Sequence, residues 1–523
     1  MRLYDLVTFK KYSPWSVISV IGITIFFIVS TWNSLAMPMH GDEGSYAYTA
    51  WQLTNDNPPY STSYDVKPPV LYYLYTLPTI ISPHSIVPIR IMGIISLALT
   101  ILIISLIAQK EWGARAAHIA AWLSVPILTL PHLLTQVTSA EKLLLLPLLA
   151  STLFSLYYVN NNHKWPWILS GALGMIAILI KPTCVLLLLF IWLYALRRHH
   201  SQNGNLRQVG FQAILIGLGS LSVLLISLAY FVQKNILPAL WENTVIFPLY
   251  FFQVFSAEID YLLRFLKSFL THWWLIFIYI AIGLLLKGKH ILFYIVLCLL
   301  GLITVYKFPS GHYYFIVLPF FILAGAGSLT TIIARLKSQQ LHWRLLIVAV
   351  TIMVMIWPIK MQYFLTPNKL SYWIYGNTLY IDAVNVAAYI QSQTTAEEKI
   401  LVLGSEPQIY YLSGRQSVTR FINHFPITIP SPYLTEYVNE FYDDLIRERP
   451  RLIIIPNYMF SDFTDDRASK LAKNIMSVIA EKYHFMQATA SDSQLSTIRI
   501  GINELNTGQY NVSYLIYEIN DNE

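Results

Sequence analysis

Long apolar segments separated by short polar loops fill the first 365 residues of the chain. A helix rises about 1.5 Å per residue and the hydrocarbon core of a bilayer is about 30 Å thick, so about 20 apolar residues can cross it. The pattern therefore predicts a polytopic α-helical membrane protein with about 11 transmembrane helices. The predicted segments are 15–35, 88–108, 116–134, 143–159, 165–180, 182–196, 209–233, 270–286, 290–306, 313–333 and 344–364.

The apolar stretch 165–196 is interpreted as a hairpin of two short spans. As one helix it would be about 48 Å long, which is longer than the hydrocarbon core. Lys181 and Pro182 lie in its middle, and a charge and a proline both oppose one continuous buried helix. The hairpin changes which side of the membrane every later loop occupies.

Basic residues in the short loops predict the orientation. With the N-terminus inside, the inner loops carry Lys110, Arg115, Lys164, Arg197, Arg198, Arg207, Lys287, Lys289, Arg335, Lys337 and Arg344. This arrangement obeys the positive-inside rule at each loop. The outer side then receives Asp42, Lys67, Glu141, Lys181, Lys307, His312 and the whole C-terminal part.

The N-terminal segment also allows a second interpretation. Basic residues precede the first apolar run, and Ser34-Leu35-Ala36 resembles a cleavage site for a signal peptide. The run from Trp15 to Leu35 is nevertheless long enough to span the bilayer. An uncleaved first helix is therefore expected.

Two outer loops and a C-terminal domain complete the predicted organisation. Loop 36–87 should contain a surface helix near 43–53, whereas loop 234–269 is apolar and should lie along the membrane surface. Residues 1–365 are predicted to form the membrane domain and residues 366–523 an extracytoplasmic α/β domain. Within the latter, the pattern predicts strands at 400–403 and 452–455, a helix at 469–484 and a β-hairpin over 497–519 with its turn at 506–508.

The composition agrees with this class of protein. The chain of 523 residues is 55% hydrophobic and only 12% charged, and its net charge of +7 comes from Lys and Arg in the short loops. That distribution reflects membrane topology, and no nucleic-acid partner is expected. Cys184 and Cys298 both lie in apolar segments, so neither a disulfide framework nor a zinc site is predicted.

Asp42 and Glu43 are the first candidates for chemistry, because they follow directly on the first helix. A carboxylate at the membrane face could act as a general base on an acceptor hydroxyl or amine. The alternative is structural: Asp42 could be the N-cap of the 43–53 helix. The dipeptide alone does not decide between the two.

Several basic and aromatic residues on the outer side are candidates for binding a phosphate. Lysine binds phosphate as a point charge, and histidine or tyrosine could add hydrogen bonds. The structural alternatives are a lysine reaching toward the headgroups, an interfacial aromatic belt and a self-satisfying Glu141-Lys142 pair. The candidates are Lys67, Lys181, Lys307, His312, Tyr313 and Tyr314. Their position on the outer face, where basic residues are disfavoured, suggests a lipid phosphate as the ligand.

Three motifs resemble the GT-C glycosyltransferases of the family 39 type. They are DEGSYAY at 42–48, KPPVLYYLY at 67–75 and HYYFIVLP at 312–319, and the segment 402–421 also resembles bacterial members. The likeness extends from about residue 15 to 455. The similar proteins are the dolichyl-phosphate-mannose protein mannosyltransferase-like proteins and the aminoarabinose–lipid A transferases.

The resemblance implies a bacterial inner-membrane transferase whose active site faces away from the cytoplasm. The donor would be a polyprenyl-phosphate sugar, and the acceptor a lipid, glycan or protein of the envelope. By correspondence, Asp42 would be the base, with Glu43 beside it, and Lys67 would contact the lipid phosphate. Tyr46 and Glu141 would contact the sugar or acceptor. No cofactor is required, and a divalent metal is compatible but not indicated.

The motifs also depart from the aminoarabinose transferases. Those carry an arginine soon after the acidic pair and an acidic residue directly before the lysine, whereas this chain has Ser45 and Val66 there. Aminoarabinose is therefore not assigned as the sugar. Two other classes of function stay open, a transporter of a lipid-linked substrate and a non-catalytic envelope scaffold.

Overall fold

The computed structural model describes residues 14–158, 163–203, 206–254, 259–306, 310–336, 341–459, 463–505, 507 and 509–520. The described residues of the membrane region are mainly helical. Its helices are α1 (Pro14–Thr31), α2 (Gly41–Thr54), α3 (Val70–Ile81), α4 (Val87–Trp112), α5 (Ala114–Leu128), α6 (Ala140–Leu153), α7 (Trp165–Ile180), α8 (Val185–Asn203), α9 (Leu206–Gln233), α10 (Leu237–Trp241), α11 (Phe247–Val254), α12 (Ile259–Leu285), α13 (Ile291–Val305), α14 (Leu318–Arg335) and α15 (Leu341–Ile356).

Each predicted membrane segment forms a helix. Among the described residues, seven helices are long and apolar enough to cross a bilayer, and four shorter apolar helices correspond to the remaining predicted spans. Large apolar side chains such as Ile226 and Leu285 are 76% and 81% exposed, as expected where lipid is the solvent. The chain is a multi-pass membrane protein.

The hairpin at 165–196 is present. Helix α7 ends at Ile180, Lys181 has an extended backbone with φ −156° and ψ 119°, and a 3₁₀ turn over Pro182–Cys184 leads into α8. Proline at the first position of the turn is favourable because its missing N–H has no partner there. The break places the buried Lys181 side chain between the end of α7 and the start of α8, where it pairs with Glu141.

The C-terminal part is built around one mixed sheet. Its strands are β1 (Leu401–Val402), β2 (Leu452–Pro456), β3 (Tyr483–Ser491), β4 (Thr497–Ile500) and β5 (Val512–Ile519), in the order β1-β2-β5-β3-β4. Only β1 and β2 are parallel. The helices are α16 (Met361–Phe364), α17 (Pro367–Tyr375), α18 (Leu379–Gln393), α19 (Pro407–Ser413), α20 (Phe425–Thr428), α21 (Leu434–Glu448), α22 (Asp466–Lys482) and α23 (Ile502–Leu505).

The predicted hairpin over 497–519 is wrong. Strand β4 pairs with β3 and not with β5, because β5 is inserted between β2 and β3. Residues 506 and 508 of the expected turn lie outside the described residues. The two strands at 401–402 and 452–456 are where the short, continuous apolar runs predicted buried strands.

The two outer loops pack against the C-terminal domain. Tyr64 of the first loop and Phe247 of the second are fully buried with Phe421, Phe425 and Tyr437, and the rings of Tyr64 and Phe247 are 5.4 Å apart. The second loop is mostly helical, since it contains α10, α11 and the first turns of α12. The proposed domain boundary at residue 365 falls between α16 and α17 and stays a prediction.

Candidate active site

Helix α2 is the element that organises the site. His40 is its N-cap: the Nδ1 atom accepts a hydrogen bond from the backbone N–H of Asp42 at 3.1 Å, and the Glu43 carboxylate accepts one from the backbone N–H of His40 at 3.3 Å. Such a reciprocal capping box fixes the first turn of a helix. Asp42 is therefore the second residue of α2, and the alternative that Asp42 is the N-cap is wrong.

One face of α2 points into the helix bundle and carries Glu43. Its carboxylate pairs with Arg90 at 2.7 Å and accepts the backbone N–H of Thr138 at 2.6 Å. Both charged side chains are essentially inaccessible to solvent, with exposed fractions of 0% and 1%. Because both of its oxygens are held by these partners and by the His40 N–H, Glu43 anchors the helix. A catalytic role for Glu43 stays a prediction, and this geometry does not support it.

The second face carries Asp42 and Tyr46 and points toward Lys67. The Lys67 ammonium lies 5.9 Å from the centroid of the Tyr46 ring. Asp42 is partly exposed, and within the described part of the chain its carboxylate makes neither a hydrogen bond nor an ion pair within 4 Å. A carboxylate held near cations without a fixed partner is able to accept a proton.

Electrostatics keep both of these groups charged near neutral pH. Burial disfavours the Asp42 carboxylate, but the charges of His40, His312 and Lys67 outweigh it and hold its pKa below the ordinary value. Burial also disfavours the Lys67 ammonium, but Asp65 and other anionic neighbours raise its pKa above the ordinary value. A carboxylate and an ammonium therefore coexist as near neighbours in this site.

A second group of residues lies at the outer ends of α6, α7 and the 3₁₀ turn Gly311–Val317. Lys181 forms an ion pair with Glu141, and His312 Nε2 lies 3.7 Å from the same carboxylate. The Lys181 ammonium is also 3.7 Å from the centroid of the Tyr313 ring. Burial lowers the pKa of Lys181 although Glu141 opposes the shift. The charges of His312 and Glu141 also act on Asp42, so the two groups form one site.

Tyr314 does not belong to the site, contrary to the prediction. Its ring is 1% exposed and stacks on Phe265 with a centroid distance of 3.7 Å and an interplanar angle of 7°. Consecutive residues of a 3₁₀ turn point in different directions. Tyr313 therefore faces Lys181 while Tyr314 faces the apolar interior. Lys307, the remaining predicted phosphate ligand, lies outside the described residues.

Asp65 is a site residue that the sequence reasoning missed. It is 4% exposed and accepts a hydrogen bond from Ser45 Oγ at 2.9 Å, while Asn423 of the C-terminal domain donates to the same Ser45 oxygen at 3.3 Å. Asp65 is also the largest source of negative charge acting on Lys67. The sequence contained a signal for this residue. Asp65 stands two positions before Lys67, whereas the motif discussed above has its acidic residue directly before the lysine.

The third face of α2 is covered by the C-terminal domain. Gly41 and Gly44 allow close approach, because a Cβ at Gly44 would overlap the backbone of Gln408 at the start of α19. Tyr48 accepts a hydrogen bond from the backbone N–H of Ser417 at 2.9 Å. The C-terminal domain therefore contributes to the position of the catalytic face of α2.

Comparisons with known proteins agree with this architecture. The family described as dolichyl-phosphate-mannose-protein mannosyltransferase matches residues 66–230. ArnT from Cupriavidus metallidurans is similar in structure, both in the apo state (TM-score 0.60) and bound to undecaprenyl phosphate (TM-score 0.61). Each has 12% identity, over 96% of this chain and 97% of the other. The chain has the GT-C fold. Residues 42–75, which carry DEGSYAY and KPPVLYYLY, contribute Asp42, Tyr46 and Lys67 to the candidate site described above.

A further structural match extends the GT-C fold to another kind of enzyme. The archaeal oligosaccharyltransferase AglB from Archaeoglobus fulgidus, in complex with an inhibitory peptide and a dolichol-phosphate, matches with a TM-score of 0.50 and 12% identity. The alignment covers 94% of this chain and 75% of AglB. No curated protein matches the chain in sequence.

Among the residues that the structure describes, no three or more His, Cys, Asp or Glu side chains are grouped so that they could hold a metal ion. A site that works without a divalent metal stays a prediction.

Proposed function

We propose that this protein is a membrane glycosyltransferase that moves a sugar from a polyprenyl-phosphate donor to an acceptor of the cell envelope. The observation that carries the proposal is one cluster of charged side chains, in which Lys181 pairs with Glu141, His312 lies 3.7 Å from the same carboxylate, and the Asp42 carboxylate lies close enough to Lys67 and His312 for their charges to lower its pKa. The Asp42 carboxylate is suited to taking a proton from an acceptor, and Lys67 and His312 are suited to stabilising an anionic leaving group. The GT-C fold supports the same class of reaction.

The proposed reaction is a single inverting displacement. An acceptor oxygen or nitrogen attacks the anomeric carbon, the bond from that carbon to the phosphate oxygen breaks, and the lipid phosphate leaves with the electron pair. Asp42 takes the proton that the acceptor loses. Lys67 and Lys181, with His312 and Tyr313, stabilise the charge on the leaving phosphate. Tyr46 and Glu141 are assigned to the sugar or acceptor.

The topology proposed for the reaction follows from the distribution of charge. The N-terminus would be cytoplasmic and the C-terminal domain extracytoplasmic in a bacterial inner membrane, since the inner loops carry the basic residues. ArnT has been captured with undecaprenyl phosphate, which supports a lipid of that kind as the donor's carrier. A transporter would be expected to hold its charges near the bilayer midplane, whereas Glu141 and Lys181 lie at helix ends.

The proposal is tested by mass spectrometry of envelope glycolipids, glycans and glycoproteins. Cells that lack the protein are compared with cells that express the unmodified chain, Asp42→Asn or Asp56→Asn at matched membrane abundance. Asp56 is a matched control because it lies in the same outer loop but forms an exposed ion pair with Lys234. A sugar-sized addition is expected with the unmodified chain and Asp56→Asn, and a loss of about 10²–10⁴-fold with Asp42→Asn.

Two results would contradict the proposal. An addition that persists at full level with Asp42→Asn would remove Asp42 from its role as the base. No addition with any form of the protein, in cells that contain polyprenyl-phosphate sugars, would favour a transporter or a scaffold.

A further inference from the structure

A crevice of about 290 Å³ lies on the lipid-facing side of the helix bundle, at the end of α1 that leads into α2. Its walls come from α1, the 3₁₀ turn Trp32–Leu35 and α16, and the residues are Ile28, Val29, Trp32, Asn33, Gln362 and Tyr363. Ile28, Val29 and Trp32 are exposed, as apolar side chains are where lipid is the solvent. None of the candidate site residues lines the crevice, so it is separate from the active site.

The crevice lies at the level where hydrocarbon meets headgroups. The rings of Trp32 and Trp357 are exposed there, and the Lys360 ammonium lies 3.3 Å from the centroid of the Trp357 ring. Trp and Lys concentrate at this depth of a membrane. A second, apolar crevice beside Phe26 of α1 and Met355 of α15 lies closer to the middle of both helices. The seam between α1 and α15 is therefore polar at the interface and apolar below it, as a lipid is.

Gln362 provides a hydrogen-bond donor that the protein does not satisfy. Its side chain is 2% exposed, and its Oε1 accepts from Gln136 Nε2 at 2.8 Å, whereas its Nε2 makes no hydrogen bond with any residue that the structure describes. The Tyr363 hydroxyl lies close to the amide but is hydrogen-bonded to Ser30 Oγ at 2.8 Å. A buried N–H without an acceptor is unfavourable, and the hydrocarbon core contains no water to supply one.

We propose that this crevice binds a glycerophospholipid of the bilayer. An ester or phosphate oxygen of the lipid accepts a hydrogen bond from Gln362 Nε2, and one acyl chain lies along α1 toward Phe26. Lys360, two residues before Gln362, supplies a positive charge for the phosphate. The occupant that fits has acceptor oxygens directly above apolar chains, and glycerophospholipids are the bulk of such molecules in a bilayer.

The bound lipid is linked to α2 by consecutive polar contacts. Gln362 Oε1 accepts from Gln136 Nε2, and the backbone oxygen of Gln136 accepts from Arg90. Arg90 in turn pairs with Glu43, the anchor of α2, at 2.7 Å. A lipid that fixes the Gln362 amide therefore also stabilises the start of α2. This link does not depend on the reaction proposed for the active site.

Photo-crosslinking in nanodiscs tests the crevice without any sugar substrate. The purified full chain is reconstituted in phosphatidylethanolamine with a small fraction of phosphatidylglycerol that carries a diazirine on its acyl chain beside the ester. Mass spectrometry then identifies the labelled peptides. We expect labels on residues 28–33 and 361–364 of the unmodified chain.

Gln362→Leu should reduce this labelling about two- to tenfold, the factor that corresponds to one lost hydrogen bond. Gln212→Leu is the matched control. Gln212 is a buried amide of α9 whose Oε1 likewise has no partner in the described part of the chain, and it does not line the crevice. Its substitution should leave the labelling of residues 28–33 and 361–364 unchanged.

A second pair of variants keeps the test valid if Gln362→Leu fails to fold. Val29→Trp places a large ring in the crevice, whereas Ile21→Trp adds the same ring to the same helix outside it. The two positions are 51% and 54% exposed, so neither substitution disturbs the packing of the bundle. Labelling of residues 361–364 should be lost in Val29→Trp and retained in Ile21→Trp.

Two outcomes would overturn the proposal. One is equal labelling of the unmodified chain, Gln362→Leu and Val29→Trp. The other is displacement of the label by undecaprenyl phosphate at a lower mole fraction than by unlabelled phosphatidylglycerol, because the crevice would then belong to the carrier lipid.

Hydrogen–deuterium exchange of residues 36–50 measures the link to α2. Exchange in the unmodified chain should slow as the fraction of phosphatidylglycerol in the nanodiscs rises, and this response should be absent in Gln362→Leu and present in Gln212→Leu. The same response in all three proteins would overturn the link between the lipid and α2. Because neither measurement uses sugar transfer, a failure of the proposed reaction would leave both results unchanged.

Discussion

Adjacent carboxylates on α2 have opposite tasks because successive residues of a helix point about 100° apart. Asp42 faces the cavity and has charged neighbours without a fixed partner, whereas Glu43 faces Arg90 and the backbone of Thr138. The same residue type therefore serves as a candidate base at one position and as an anchor at the next. Their neighbours, and not their chemistry, distinguish them.

Glu43→Gln should lower stability far more than an equivalent change at the surface. Removing one member of a buried ion pair leaves the other charge without compensation, which costs about 3–5 kcal/mol. The matched control is Glu448→Gln, because Glu448 pairs with Lys399 at 2.7 Å, the same distance as in the Glu43–Arg90 pair, but the two side chains are 25% and 40% exposed. Surface pairs contribute about 0–1 kcal/mol.

Thermal unfolding of the purified variants in one detergent measures the difference. A much lower Tm is expected for Glu43→Gln and almost no change for Glu448→Gln. Equal effects of the two substitutions would show that Glu43 is not an anchor.

Lys67→Met should weaken binding of undecaprenyl phosphate, which stands in for the departing lipid phosphate. A charged hydrogen bond contributes about 1.5–3 kcal/mol, so the Kd should rise by at least about tenfold. Lys234→Met is the control, since Lys234 lies on the outer side in an exposed pair with Asp56. Titration of undecaprenyl phosphate into nanodiscs that contain either variant measures the two Kd values. An unchanged Kd for Lys67→Met would remove Lys67 from the phosphate site.

At the scale of elements, α2 is a helix with three contact faces. One faces the cavity, one faces α4 and one faces α19 of the C-terminal domain. Glycine at positions 41 and 44 is needed on the last face, because the backbones approach too closely for a side chain. The geometry of the site therefore depends on how a membrane domain and an extramembrane domain are packed together.

Gly44→Ala should reduce both stability and sugar transfer. The added methyl group would overlap the backbone of Gln408, which cannot move aside as a flexible side chain could. Gly217→Ala on α9 is the matched control, because nothing lies within 4 Å of the Cβ it would add. Alanine is favoured over glycine in a helix by about 0.5–1 kcal/mol, so this control should be neutral or slightly stabilising.

Thermal unfolding and the mass-spectrometric transfer measurement together check this prediction. If Gly44→Ala and Gly217→Ala have the same Tm and the same level of sugar transfer, the α2–α19 contact has no role in the site.

At the scale of the whole molecule, the outer loops and the C-terminal domain share a hydrophobic core. Tyr64 and Phe247 come from the two outer loops, yet they are buried with Phe421 and Tyr437 of the C-terminal domain. Arg420 adds a polar connection, since its backbone oxygen accepts the N–H of Tyr64 at 2.6 Å. All of these groups must therefore lie on the same side of the membrane.

Cysteine labelling tests the proposed orientation. Lys470→Cys, exposed on α22, should react with a membrane-impermeant maleimide in intact spheroplasts, whereas Arg115→Cys at the inner end of α5 should react only after permeabilisation. The unmodified chain measures the background from Cys184 and Cys298. The reverse pattern would place the site in the cytoplasm and exclude an extracytoplasmic transferase.

Sequence reasoning succeeded where the signal is local. The break at Lys181 was predictable because a proline and a charge oppose one continuous helix within a few residues. It was less successful where a strand pairs with another strand that is distant in the chain. The 497–519 hairpin was wrong because β5 pairs with β2, about 60 residues earlier, which local alternation cannot reveal.

Local patterns in the chain were enough to predict the membrane helices and the motifs that resemble GT-C enzymes. These patterns follow from hydrophobic length and from the cost of burying charge, which each segment carries in its own residues. Packing, in contrast, set Asp42 beside Lys67 and His312 while Glu43 anchors α2, brought Tyr313 and not Tyr314 to Lys181, and placed Asp65 near Lys67. Those assignments depend on the packing of segments distant in the chain, because the environment of a polar group and not its type determines its task.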